Sequence, residues 1–294
     1  MVCSLTYSEH QKGIFIAACG VFILSFDAML IRLAGASAWD IAFWRGWLMC
    51  ATFTTLSLLA RKQTVLPPNA RSWQLALAVA LLYGINTLLF VYSISHTSTA
   101  NTVIILASSP LFSALFSSLF LKEKLKTSTL ITMLITFCGV LYIFAGSLDS
   151  LHWKGDLAAL VLAISTGAVL TLLRRAHHFS ILPVIALSGA VAGLLSSSQA
   201  NPLSLPPQSY IWLGIMGIFQ IPVATWLLMR APRYLPSAEV SLFLLIETIL
   251  GPIWVWFAVN EQIPERTFLG GAIILSAIAL NSVLTMRQRT KPES

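Results

Sequence analysis

Formal charge is what this chain has least of. Only 10% of its 294 residues are Asp, Glu, Lys or Arg, against about 25% in a soluble globular domain. Too little polar surface can be built from that to face water, so the main solvent must be lipid. Cysteine is scarce too. Cys3, Cys19, Cys50 and Cys138 have no metal-type spacing, which argues against a zinc cluster and leaves small inert hydrophobes. His96, His152, His177 and His178 fall in loops or at helix ends, and no G-x-S-x-G, H-E-x-x-H or phosphate loop occurs. Hydrolase, metalloprotease and ATP-driven chemistry therefore have no motif to rest on. Alternating ten-residue strands are missing, which removes an outer-membrane barrel. No small-residue cleavage site follows the first apolar run, so the N-terminus reads as an uncleaved signal anchor.

What is present is long apolar sequence: 57% of the residues are hydrophobic and the mean hydropathy is +0.82. At about 20 residues per crossing, ten helices fit. They are expected at 13–34, 40–60, 72–94, 97–121, 127–146, 155–173, 181–198, 209–230, 235–258 and 267–286. The fold class is an all-α integral membrane protein.

The net charge of +7 does not point to nucleic acid, because its placement has another explanation. With the N-terminus inside, the connections on that side hold Lys12; Arg61, Lys62 and Arg71; Lys122, Lys124 and Lys126; Arg174 and Arg175; Arg230 and Arg233; and Arg287, Arg289 and Lys291. The other side holds only Lys154 and Arg266. Cytoplasmic loops are enriched in Lys and Arg, so both termini are expected in the cytoplasm.

The chain also matches itself at an offset of 138 residues: YGINTLLFVYSISHTSTAN (83–101) lies over IPVATWLLMRAPRYLPSAE (221–239), and Glu123 falls on Glu261. Five helices per half is an odd number, so the second unit must sit upside down. The cations obey this: RKQTVLPPNAR (61–71) corresponds to QANPLSLPPQ (199–208), which has none. The units are expected at 1–146 and 147–294. Inverted repeats are the architecture of alternating-access carriers. ASSPLFSALFSSLFLKEKL (107–125), LLIETILGPIWVWFAVNEQI (244–263) and the FWRG around Arg45 resemble motifs of the EamA-type transporters in the drug/metabolite transporter superfamily. Ser109 and Thr248 depart from that pattern, and Lys122 and Asn260 stand where it has glycine. The resemblance implies an exporter of metabolites or amino acids in a bacterial inner membrane, with no cofactor.

Against this apolar background, FILSFDAMLIRLAGASAWDIAFWRG (22–46) holds four charges. Asp40 at a helix entry suits the helix dipole, and Arg32 near the outer edge can snorkel to water. Asp27 and Arg45 have no such explanation. Counting 1.5 Å per residue puts Asp27 about 9 Å, and Arg45 about 7.5 Å, below the outer edge of a ~30 Å core, where the two can meet. Glu247 falls near the midplane. A charge there costs about 2.5–3.5 kcal/mol even on the lenient scale. Either Asp27 or Glu247 titrates while Arg45 holds a substrate carboxylate, or Asp27 and Arg45 form a permanent clamp. Tyr83, Asn86, Gln220, Trp226 and Trp254 are candidates to line the cavity, with interhelical bonding or packing as the alternative. Asn101 and Glu239, repeat mates near opposite surfaces, are expected to be solvated at helix ends, with gating as the alternative. Pro110, Pro222 and Pro252 are candidate hinges. The expected partners are a small-molecule substrate, the bilayer and protons, with a homodimer left open. A membrane-embedded enzyme and a passive channel or scaffold are the competing functions.

Overall fold

The structure is a computed structural model that describes residues 7–60, 65–122, 127–147, 152–174, 179–231, 234–235 and 237–289. Cys3, Arg61, Lys62, Glu123, Lys124, Lys126, Arg175, His177, His178, Arg233 and Lys291 lie outside these residues, as does the side chain of Glu239. The described elements are helical and include no strand. In chain order they are α1 (Tyr7–Leu24), α2 (Asp27–Ala34), α3 (Ala38–Leu59), α4 (Ala70–His96), α5 (Thr99–Leu106), α6 (Ser109–Leu121), α7 (Thr127–Ser147), α8 (Trp153–Leu173) and α9 (Ile181–Ser196). Then follow α10 (Pro207–Gly214), a π-helical turn (Ile215–Gln220), α11 (Ile221–Arg230), α12 (Ser237–Val259) and α13 (Glu265–Arg289).

Among the described residues, six stretches are long and apolar enough to cross a membrane: Glu9–Ala34, Ala70–His96, Thr99–Phe120, Thr127–Ser147, Trp153–Leu173 and Pro207–Arg230. Ile181–Ser196 and Phe243–Val259 are apolar but shorter. Of the ten crossings expected, six thus meet length and composition. The helices turn at two faces. At the proximal face, nearest the N-terminus, the Lys12 ammonium lies 5.3 Å from the Tyr234 ring centroid. At the distal face Asp40 is the third residue of α3. Its carboxylate accepts from Ser37 Oγ at 2.6 Å and from the Asn201 amide at 2.6 Å, while Ser37 Oγ accepts the Asp40 amide. The start of α3 is therefore capped by its own N-cap serine and tied to the second half of the chain.

The duplication is legible in the packing. The second helices of the two halves, α3 and α9, cross antiparallel: Gly46 meets Gly193 while Gly189 meets Cys50. A Cβ on Gly46 would lie 2.5 Å from the Gly193 amide nitrogen, so only glycine permits this backbone approach. The fifth helices cross the same way, with Gly139 against Ile274 and Gly270 against Ile143. Contacts are also exchanged reciprocally. Gly155 of α8 abuts His96 and Thr97, and Gly13 of α1 abuts Tyr234 and Leu235, which are the repeat mates of His96 and Thr97. Finally, Lys122 and Asn260, also repeat mates, end α6 and α12 in left-handed backbone conformations, φ 56° and 54°. A left-handed end is where glycine is favoured, which gives a physical reason for the glycine that the resemblance expects at both.

Candidate functional site

The site begins with a helix that stops early. The α1 hydrogen-bond ladder ends at Leu24 and restarts at Asp27, without a proline. Ser25 bends back, its Oγ donating to Phe22 O at 2.7 Å, a local bond that competes with the helix. The carbonyls of Ile23 and Leu24 are then taken by Gln220, whose amide donates to them at 3.1 and 3.2 Å. Trp254 donates its indole N–H to Ser25 Oγ at 2.9 Å and stacks on Phe26, ring centroids 4.9 Å apart. Asp27, now the first residue of α2, presents a carboxylate to a helix N-terminus, where negative charge is favoured. The carbonyls of Ile23 and Leu24 are thus answered from the second half, and that of Phe22 by Ser25 itself.

Arg45 reaches Asp27 from α3. Its Nη1 lies 2.8 and 2.9 Å from the two carboxylate oxygens, with Asp27 only 5% and Arg45 8% exposed. The guanidinium also lies 5.5 Å from the Phe90 ring centroid and 3.5 Å from Met216 Sδ, while Nε is buried without a partner among the described residues. Met216 belongs to the π-helical turn. Pro222, the second residue of α11, has no N–H to donate one turn back, and the ladder ahead of it widens to the π spacing, a deviation frequent at functional sites. Breaking a buried pair by removing one partner leaves an uncompensated charge, at a cost of roughly 3–5 kcal/mol.

Glu247 lies within electrostatic range of both Asp27 and Arg45, and Tyr83 within range of all three. Tyr83 is 40% exposed although Val79, Thr87 and Phe90, on the same stripe of α4, are buried. Tyr83 is thus the accessible position on an otherwise buried stripe of α4. Glu247 shares its stripe of α12 with buried Gly251 and Val255. Asn86 is buried one turn from Phe90; its Nδ2 donates to Thr166 Oγ1 at 3.2 Å and its Oδ1 has no partner among the described residues.

The structure thus gathers Asp27, Arg45, Glu247 and Tyr83, ties Gln220 and Trp254 to the helix break, and binds Asn86 to Thr166 of α8. Trp226 is separate: the Arg230 guanidinium lies 3.9 Å from its ring centroid, near the end of α11. Pro110 is the second residue of α6, just past a break at Ala107–Ser108; Pro252 lies inside the unbroken α12.

Two readings are corrected. Arg32 is not left to water: its Nη2 pairs with Glu261 Oε2 at 2.7 Å and donates to Thr97 O at 2.9 Å. Glu261 Oε1 in turn accepts the Thr99 amide, the start of α5, at 2.6 Å. Asn101 is not solvated but buried. Its Nδ2 donates to both oxygens of the fully buried Asp156, at 2.9 and 3.1 Å, its Oδ1 accepts from Thr267, and Thr97 Oγ1 donates to Asp156 at 2.6 Å. Sequence reasoning passed over Asp156 and noted Glu261 only as the repeat mate of Glu123. A carboxylate in the first turn of an apolar helix, and a glutamate repeated at the 138-residue offset, were the available signals.

A buried ion pair at a helix break, set among apolar helices paired antiparallel between two halves, is the construction of a multi-pass membrane transporter. The EamA-like transporter family model matches residues 11–145 and again 153–283, and the chain belongs to that family. It is 24% identical over 276 residues to an uncharacterized transporter of Archaeoglobus fulgidus, covering 88% of this chain and 92% of that one. It is 22% identical over 252 residues to the uncharacterized transporter YoaV of Bacillus subtilis, covering 81% and 84%. A crystal structure described only as that of a protein shares the fold, with a TM-score of 0.64 at 16% identity, covering 95% of this chain and 99% of the other.

Proposed function

We propose that this chain is a secondary transporter that exports a small metabolite, such as an amino acid, across a bacterial inner membrane by alternating access, with protons as co-substrate. On this reading the chain crosses the membrane ten times as two inverted units, 1–146 and 147–294. Both termini are cytoplasmic and the distal face is outside.

The observation that carries it is the Asp27–Arg45 pair beside Glu247 and the accessible Tyr83. Two carboxylates and one guanidinium leave one negative charge in excess. An amino acid answers both signs: its carboxylate competes with Asp27 for Arg45, and its ammonium or a proton balances Glu247. The orphaned Arg45 Nε and Asn86 Oδ1 are a donor and an acceptor available to such a ligand. Motion is supplied by the interruptions at 25–26, 107–108 and 215–220, since broken helices mark carrier sites.

The test is reconstitution in liposomes with labelled amino acids and drug-like cations, with and without a pH gradient. Saturable flux that responds to the gradient is expected; flux linear in concentration would mean a passive pore.

A further inference from the structure

We propose that Arg32 and Glu261 form the distal gate of this protein, and that α2 is the lever connecting that gate to the Asp27–Arg45 pair. The inference rests on the transport reading above.

A cavity of about 610 Å³ opens at the distal face, lined among others by Arg32, His96, Asn101, Glu261, Arg266 and Thr267. Arg32 and Glu261 are paired across its wall at 2.7 Å. The pair bridges the two halves: Arg32 belongs to the first, and Glu261 to the connection between α12 and α13 in the second. Each partner is also fastened to the turn between α4 and α5, Arg32 through the Thr97 carbonyl and Glu261 through the Thr99 amide. Four groups from three segments are closed by one ion pair. Both side chains remain a fifth to a quarter exposed, so water can compete for them, and the buried Arg32 Nε has no partner among the described residues. The closed arrangement is therefore incompletely satisfied, as a contact that must open needs to be.

The lever follows from chain geometry. Asp27 and Arg32 lie on the same eight-residue helix, about 7.5 Å apart along its axis. The helix is separated from α1 by the break at Ser25–Phe26 and from α3 by Gly35, φ +58°. One end is held by Arg45 and the other by Glu261. A ligand that takes Arg45 from Asp27 releases the near end of α2, and the far end carries Arg32 with it. Occupancy of the site is thereby transmitted to the gate by one rigid segment, pinned by an ion pair at each end and packed between them through Leu30, Ile31 and Ala34, so that it shifts as a unit rather than through a diffuse relay.

The experiment places a cysteine at Tyr83 in a background where Cys3, Cys19, Cys50 and Cys138 are serine. The rate of modification by a membrane-impermeant thiol reagent applied from the distal side is then read. Glu261→Gln and Arg32→Gln are each expected to raise that rate by about tenfold, within the range typical of coupled sites. The double variant should add nothing to either single one, and Arg32→Lys should stay near the parent rate. Asp27→Asn, which frees the near end of α2, should raise it as well. Melting temperature checks that each variant is folded. Unchanged labelling in folded Glu261→Gln, or additive effects of the two substitutions, would overturn the gate; unchanged labelling in Asp27→Asn alone would overturn the lever. Labelling needs no substrate, so these results are independent of whether flux is found.

Discussion

The first helix of each half makes the same reciprocal packing contact, yet the two are built differently. In the first half the segment is cut at Ser25–Phe26 and holds Asp27 and Arg32. In the second, α8 runs unbroken for 21 residues, its one acidic residue sitting in the first turn. Both use glycine to approach the other half, Gly13 in one and Gly155 in the other. The difference teaches that duplication supplies the frame while departures from it supply the chemistry. Where α8 spends its polar groups on the distal network of Asp156, α2 carries charge toward the centre. The break also requires groups that α8 does not need: the Gln220 amide and the Trp254 indole, both from the second half.

That contrast can be broken from either side. The largest effect is expected at the ion pair. Asp27→Asn or Arg45→Gln alone should abolish transport and lower stability by roughly 3–5 kcal/mol, whereas the double substitution, which leaves no buried charge, should recover most of the stability but no flux. Thermal unfolding in detergent alongside liposome flux separates the two; full stability in either single variant would mean that the pair does not hold α2 to α3. Next comes the shared frame. Gly46→Ala forces a Cβ to within 2.5 Å of the Gly193 backbone, and overpacking of this kind costs about 1–3 kcal/mol, measurable as a lower melting temperature. Gln220→Leu should cost about as much, roughly 1–3 kcal/mol, because the Leu24 carbonyl loses its side-chain donor and that of Ile23 keeps only the long Phe26 amide contact. No equivalent loss is expected from Ser165→Ala in the unbroken α8, whose hydroxyl is already without a partner among the described residues. The smallest change is a gain: Lys122→Gly relieves the left-handed cap of α6 and should stabilise by about 1 kcal/mol, with Asn260→Gly gaining less because Asn tolerates that conformation better.

Much of this was readable beforehand, because the readable parts depend on local composition. Apolar runs gave the helices, and Asp27 and Arg45 could be matched in depth from 1.5 Å per residue alone. Glu247 drew attention by its position in the apolar run of α12. What escaped reading depends on distant partners. No local signal marks Ser25–Phe26 as a break, since the groups that stabilise it stand near residues 220 and 254. Gln220 and Trp254 were singled out as polar and aromatic residues, but their targets, two carbonyls and a serine hydroxyl, follow only from the helix having stopped. Arg32 was assigned to water because a long side chain near an interface generally finds it; Glu261, 229 residues away in sequence, reached it first. Asn101 reads as a solvated helix-end residue, and a buried carboxylate from α8 claims it instead.

The seam where Gly46 faces Gly189 and Gly193 has a mechanical consequence. Main chain lies directly on main chain at Gly46 and Gly189, and the Trp47 indole packs on Gly193 beside them. Sliding of one half along the other is the motion this joint resists most, whereas rotation about the point of contact leaves it intact. On the alternating-access proposal, the crossing of α3 and α9 is the fulcrum about which the two balance arms would swing.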